Sequence, residues 1–221
     1  MPLSNSELRN KSRKVISEFL PPESVEAILD LNDLHPFHLT ITNPRTTKLG
    51  DYRSPQRGDI HRITVNGNLN PYQFLVTLLH EIAHLTTYEK YKNRVLPHGN
   101  EWKKEFRDIA WPFLRKDIFP EEIINELGRY LINPAASSCA DDGLLLIMRK
   151  YDARKAKTIV DIPTGELFGM PPRIFKKGEL MRKRYKCLDV VNKKWYMVHP
   201  QAEVHDIPEE VLIKIKGLGL V

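Results

Sequence analysis

Two histidines and a glutamate define the chemistry this sequence can support. His80, Glu81 and His84 form the string His-Glu-Ile-Ala-His inside FLVTLLHEIAHLTTYEKY, an apolar stretch with helical spacing. Residues four apart on an α-helix lie one turn from each other on the same face, so both imidazoles can reach one ion. Glu81 is about 100° round the helix from His80, near enough to address a water at that ion without itself ligating. Zinc lowers the pKa of such a water toward ~7 and polarises a carbonyl, while a carboxylate takes the proton and returns it to a leaving amine. The expected activity is therefore zinc-dependent hydrolysis, of a peptide bond in the first instance, with Glu81 as general base. A chance HExxH in a chain of this composition has odds of roughly a few per cent. An apolar core helix, for its part, gains nothing from two histidines and a glutamate.

A catalytic zinc takes three protein ligands and keeps its fourth position open. The third ligand must come from another segment. His98, in the turn LPHGN, can swing back to the motif helix, and Gly99 removes a Cβ where backbones would approach. Glu101 and Glu105, on the helix that follows, are the competitors, and spacing favours His98.

Several elements must position these groups. Residues 6–20 read as a first helix closed by Pro21-Pro22, and residues 23–33 as a second. FHLTIT (37–42) and IHRITVN (60–66) alternate and are rich in β-branched residues, as half-buried strands are, with a third strand expected over 48–53. Asn70-Pro71 is a strong start for the motif helix, which runs to about Tyr91. Another helix, over 100–114, carries Trp102, Phe106, Ile109 and Phe113 at helical spacing, which makes them core. Short helical pieces follow around 121–130, and NPAASSCADDG reads as a linker. Beyond it, the runs ELFGM, RIFKKG, RKRYKCLDV and KKWYMVHP predict a small antiparallel module. The fold class is thus α+β, with a small mixed sheet packed on the HExxH helix in residues 1–133 and a linker and basic β module in 134–221.

HEIAH, a thirteen-residue interval and then HGNEW resemble the SprT-like metallopeptidases, whose HExxH is followed by a His-Gly ahead of an aromatic-bearing helix. TKLGDYR and the strand ITVN are similar to that family's edge-strand region, and the resemblance covers residues 37–114. It implies a zincin-like catalytic domain with one zinc ion on His80, His84 and His98 and with Glu81 catalytic. It also implies a protein substrate and DNA as a partner, because Spartan-type members cleave proteins crosslinked to DNA. Many SprT-like proteins carry a four-cysteine zinc ribbon after the catalytic domain. This chain has only Cys139 and Cys187, so a second, structural zinc is not expected. The C-terminal module would keep the ribbon's hairpins, packed with Ile174, Phe175, Tyr185, Trp195 and Tyr196 in place of metal.

Charge agrees with a polyanionic partner. Residues 149–194 hold fourteen Lys/Arg against five Asp/Glu, a local +9 in a chain of net +6, which leaves the remainder at −3. Such asymmetry is the electrostatic footprint of nucleic-acid binding, although a solvated basic face has the same composition. Arg173, Lys176, Lys177, Arg182, Lys183, Arg184 and Lys186 are the candidate phosphate contacts, with Tyr185, Trp195 and Tyr196 available to stack on bases. The N-terminal residues lack an apolar run that would follow the charges of a secretion signal, and the two cysteines build no disulfide framework, so a cytoplasmic setting is expected. The rival reading is a non-enzymatic metal-containing module that binds nucleic acid or protein; an intact Glu81 weighs against it, since a structural metal site has no use for a general base.

Overall fold

The computed structural model describes residues 4–45, 48–56, 59–134, 142–153 and 157–219. The chain divides into two compact units, Met1–Ala153 and Arg154–Val221. Among the described residues no helix is long and apolar enough to cross a membrane.

In the first unit α1 (Asn5–Ile16) and α2 (Val25–Leu34) precede a three-stranded sheet of order β1-β3-β2. Strand β1 (Phe37–Thr42) runs parallel to β3 (His61–Asn66), and β2 (Gly50–Arg53) runs antiparallel to β3 on the other side, pairing Gly50 with Val65 and Tyr52 with Ile63. The buried Asn66 amide donates to the carbonyls of Arg45 and Lys48, while Arg45 returns hydrogen bonds to Asn66 Oδ1 (2.8 Å) and Thr64 Oγ1 (3.0 Å). These bonds fix the approach to β2 and with it the edge of the sheet.

Helix α3 (Pro71–Tyr91) is the axis of the unit. Asn70 caps it by accepting from the Gln73 amide, Pro71 occupies the first turn where no intrahelical N–H partner exists, and the helix ends at Lys92 with φ 54°. Thirteen of its residues, from Phe74 to Thr87, are buried, so this helix is enclosed on nearly every side and does not show the single apolar face of a surface helix. Helix α4 (Asn100–Ala110) packs against it and α5 (Glu121–Ile132) against α4, and the residues expected as core over 100–114 are so: Trp102 and Phe106 on α4 and Phe113 in the turn after it are buried, and Ile109 is partly covered.

The sequence boundary at 133 differs from the structural one. A further helix, α6 (Asp142–Arg149), carries the LLLIM run that follows the expected linker; its Leu144 and Met148 belong to the core of the first unit. Apolar burial of these two side chains draws the segment in. The Asn70 amide adds hydrogen bonds to Met148 O (2.9 Å) and Asp152 Oδ1 (2.6 Å). Cys139 and most of that linker lie outside the described residues.

The second unit is a four-stranded antiparallel sheet of order β4-β5-β6-β7, from β4 (Leu167–Met170), β5 (Arg173–Met181), β6 (Arg184–Asp189) and β7 (Trp195–Val198), followed by α7 (Glu209–Gly217). Its core is Ile159, Ile162, Phe168, Phe175, Cys187, Val198 and Val204, with Tyr185 and Tyr196 partly covered. Aliphatic and aromatic burial holds the sheet, with Cys187 inside as a small apolar group and a free thiol. Trp195, expected in that core, is instead 57% exposed. It lies directly across from Leu188, on the opposite side of the sheet from the Cys187 and Val198 side chains.

Candidate metal centre

Helix α3 delivers His80 and His84 to one place, and the loop between α3 and α4 delivers His98. The three rings offer ligand atoms that all lie within 4.8 Å of one another. His84 Nε2 is 2.9 Å from His98 Nε2, which is 3.2 Å from His80 Nε2. Two zinc–nitrogen bonds of the usual length, meeting at a tetrahedral angle, set their nitrogens about 3.3 Å apart. His98 adopts a left-handed backbone conformation, φ 59°, which a non-glycine residue takes at a cost and which here turns the ring back toward α3. Gly99 follows because a Cβ there would stand 3.0 Å from the Leu96 carbonyl oxygen.

The electrostatics of the triad favour a cation. Burial, reinforced by the charges that His84 and His98 would carry, pushes His80 down to about 2, and burial pushes His84 down to about 3 and lowers His98. All three rings are therefore neutral near pH 7. A neutral ring nitrogen holds either one proton or one lone pair, so the single Nε2 of His98 cannot satisfy both neighbours by hydrogen bonding. Three lone pairs converging on one ion leave no such conflict, so the donor set fits a divalent metal of the zinc type.

The competing carboxylates do not join the cluster. Glu105 is buried with both oxygens on Lys90 Nζ, at 2.7 and 2.8 Å, and Glu101 is not part of the cluster. Aromatic packing sets the rings: the Trp102 indole lies 4.6 Å from His80 and from His98 and 5.2 Å from His84, centroid to centroid, with Phe106 5.5 Å from His80. Residues read from the sequence as core thus also form the wall of the histidine cluster. Packing takes the place of a hydrogen bond at His80, whose Nδ1 is buried without a partner among the described residues.

Glu81 is 7% exposed and lies between α3 and β2. Burial, with the negative charge of Asp51, pushes its carboxyl up to about 8, against the opposing charges of Lys48 and Arg45.

Strand β2 also supplies neighbours that spacing did not reveal. The Tyr52 ring lies nearly parallel to His84 at 6.3 Å, and its hydroxyl is 2.8 Å from His61 Nδ1. His61 Nε2 faces Glu89 Oε1 at 3.8 Å, and His35 Nδ1 donates to Glu89 Oε2 at 2.6 Å. Burial raises the Tyr52 phenol well above its ordinary range and lowers His61 against the pull of Glu89. The sequence signal for Tyr52 was its place in TKLGDYR, but only strand register sets it opposite His84.

The basic candidates all fall on β5, β6 and the turn between them. Arg173, Lys176, Arg182, Lys183, Arg184 and Lys186 are exposed. Lys177 is the exception. It is 5% exposed, its ammonium lies 4.1 Å above the Tyr185 ring and it donates to the Ile162 carbonyl at 2.5 Å, so it is a structural cation and not a phosphate contact. Lys176 and Lys177 are adjacent in a strand and must face opposite ways, which composition alone does not register. Lys186 covers the exposed Trp195 ring at 4.6 Å, and Arg173 covers Tyr196 at 4.8 Å.

Residues 33–117 match the family model described as the SprT-like family. No curated protein and no solved structure matches the chain.

Proposed function

With residues 33–117 SprT-like, we propose that the chain is a zincin-type zinc metallopeptidase that acts on DNA-bound proteins. The observation that carries the reading is the convergence of three neutral imidazole nitrogens, two of them from the helix on which the buried Glu81 follows His80. His80, His84 and His98 would hold one zinc ion through Nε2. Bound there, zinc supplies Lewis acidity, which makes water nucleophilic near neutral pH and polarises a carbonyl.

The chain's own residues do the rest. With the ion's positive charge close by to offset the burial that raises its carboxyl, Glu81 would be ionised, able to accept a proton from water and pass it to the leaving amine. Trp102 and Phe106 keep His80 dry and immobile, while His84 and His98 are only partly buried, which leaves one side of the triad open to a substrate. Exposed Arg173, Lys176, Arg182, Lys183, Arg184 and Lys186 contact phosphates, and Trp195 stacks on an unpaired base.

The test measures zinc per chain together with cleavage of casein and histone, with and without single-stranded DNA, for the parent and Glu81→Gln. The expected result is one zinc in both proteins and cleavage by the parent alone, stimulated by DNA and lost as salt rises. Zinc bound with no cleavage by the parent under any condition overturns the peptidase reading in favour of a binding module. Cleavage indifferent to DNA, with no salt-dependent DNA binding, removes the nucleic-acid partner only.

A further inference from the structure

Strand β2 carries one glycine, and its backbone has no need of one. Gly50 pairs with Val65 in regular antiparallel register, and its φ lies outside the left-handed region. A glycine in such a place marks close approach of another group. Here that group is Glu81: a Cβ built on Gly50 would stand 2.8 Å from Glu81 Cγ and 2.9 Å from Cδ, and closer still to Oε1. Contact with Cγ matters most. A clash confined to the carboxylate tip could be relieved by a small swing of that tip, whereas Cγ moves only if the side chain rotates at its root. That rotation carries the carboxylate away.

From this approach we infer that Gly50 is a positioning residue for Glu81, its missing side chain being the space in which the carboxylate is held. The inference rests on the proposed peptidase reading for its catalytic consequence and on packing alone for its structural one. Around Glu81 on the same helix, Leu78, Leu79, Ile82 and Leu85 are fully buried, so the interior offers the displaced side chain no apolar gap. The three atoms nearest a Cβ on Gly50 all belong to Glu81 and none to a metal ligand. A methyl group at position 50 therefore separates two properties that HExxH sites normally lose together: the ion stays and the base is misplaced.

A four-protein cycle tests it: parent, Gly50→Ala, Glu81→Ala and the double variant, each measured for zinc per chain, thermal midpoint and, on casein, kcat and KM. Zinc is expected at one per chain throughout. Gly50→Ala alone should lower the midpoint by about 2–8 °C, as overpacking does. In the Glu81→Ala background, where the methyl has room, the same change should shift it by less than about 1 °C. On casein, Gly50→Ala should lose about 100-fold or more in kcat, with KM within about twofold. Parental kcat in Gly50→Ala, or equal midpoint shifts in the two backgrounds, overturns the inference. If Gly50→Ala fails to fold, the double variant should fold and bind zinc, and its failure to do so also overturns it. A parent that cleaves nothing defeats the peptidase reading, and the midpoint cycle then still decides whether Gly50 houses Glu81.

Discussion

Helix α3 takes part in two histidine clusters that solve opposite problems. Near its middle, His80 and His84 meet His98 with nitrogens facing nitrogens at 2.9 and 3.2 Å. One and a half turns on, Glu89 stands between His35 and His61, and Tyr52 closes the chain at His61 Nδ1. In the second cluster each donor has an oxygen or a nitrogen lone pair to face, so it is complete as it stands. In the first, the single Nε2 of His98 faces two other ring nitrogens and cannot satisfy both. The difference teaches that burial and histidine count do not by themselves make a candidate metal centre; ring nitrogens that face one another without a proton to share do.

The largest expected effect follows from removing a member of the first cluster. His84→Ala should weaken zinc binding about 1,000-fold or more, because affinity is shared among few ligands. His35→Ala should leave it within about tenfold. Competition with a chromophoric chelator measures both, and equal losses would erase the distinction between the clusters.

Next in size is chelation. Zinc at 1,000 times its dissociation constant stabilises the folded form by about 4 kcal/mol, so EDTA should lower the thermal midpoint by about 8–16 °C. The same treatment should leave the midpoint of His84→Ala almost unmoved. An EDTA response preserved in that variant would place the ion elsewhere.

A smaller effect separates the triad from its former competitor, Glu105. Lys90→Met leaves that buried carboxylate without its partner and should cost about 2 kcal/mol in urea unfolding, with zinc content unchanged. Zinc loss in Lys90→Met would show that Glu105 serves the metal after all.

The smallest is the pH response of the complete cluster. Burial holds His61 below its unfolded pKa of about 6.5, so the unfolded chain binds that proton more readily. Its contribution is fully present above the unfolded value and fades as pH falls from there through the folded one. His61→Gln should accordingly lessen the loss of stability between pH 7 and 5, read by denaturant midpoints. A steeper acid slope in the variant would show that the histidine gains a proton on folding.

How much of this was legible depended on whether the relevant geometry was local. His80, Glu81 and His84 share one helix, and helical periodicity alone places them on neighbouring faces. The strands, the motif helix with its Asn70 cap and the antiparallel module were readable from alternation and caps for the same reason. Gly50 and Tyr52 were not, since their partners Glu81 and His84 lie some thirty residues away and depend on the register of β2 against β3. Lys177 misled because a basic run in a strand alternates between two faces, and Trp195 because an aromatic in a short strand suits either face. Helix α6 was passed over because its apolar run follows a linker-like stretch, and only the fold shows that it docks on α5.

The Asn70 side chain, described above as a helix cap, also has consequences for where this polypeptide tolerates being cut. One face of the amide starts α3 and the other grips Met148 and Asp152 at the far end of the unit's sequence. Trimming to the 33–117 stretch, or to a C-terminus at 133, would strip those acceptors and unroof the apolar surface that Leu144 and Met148 cover. The shortest soluble, metal-competent fragment should therefore extend past Asp152, and proteases that nick ahead of α6 should loosen the metal centre from a distance.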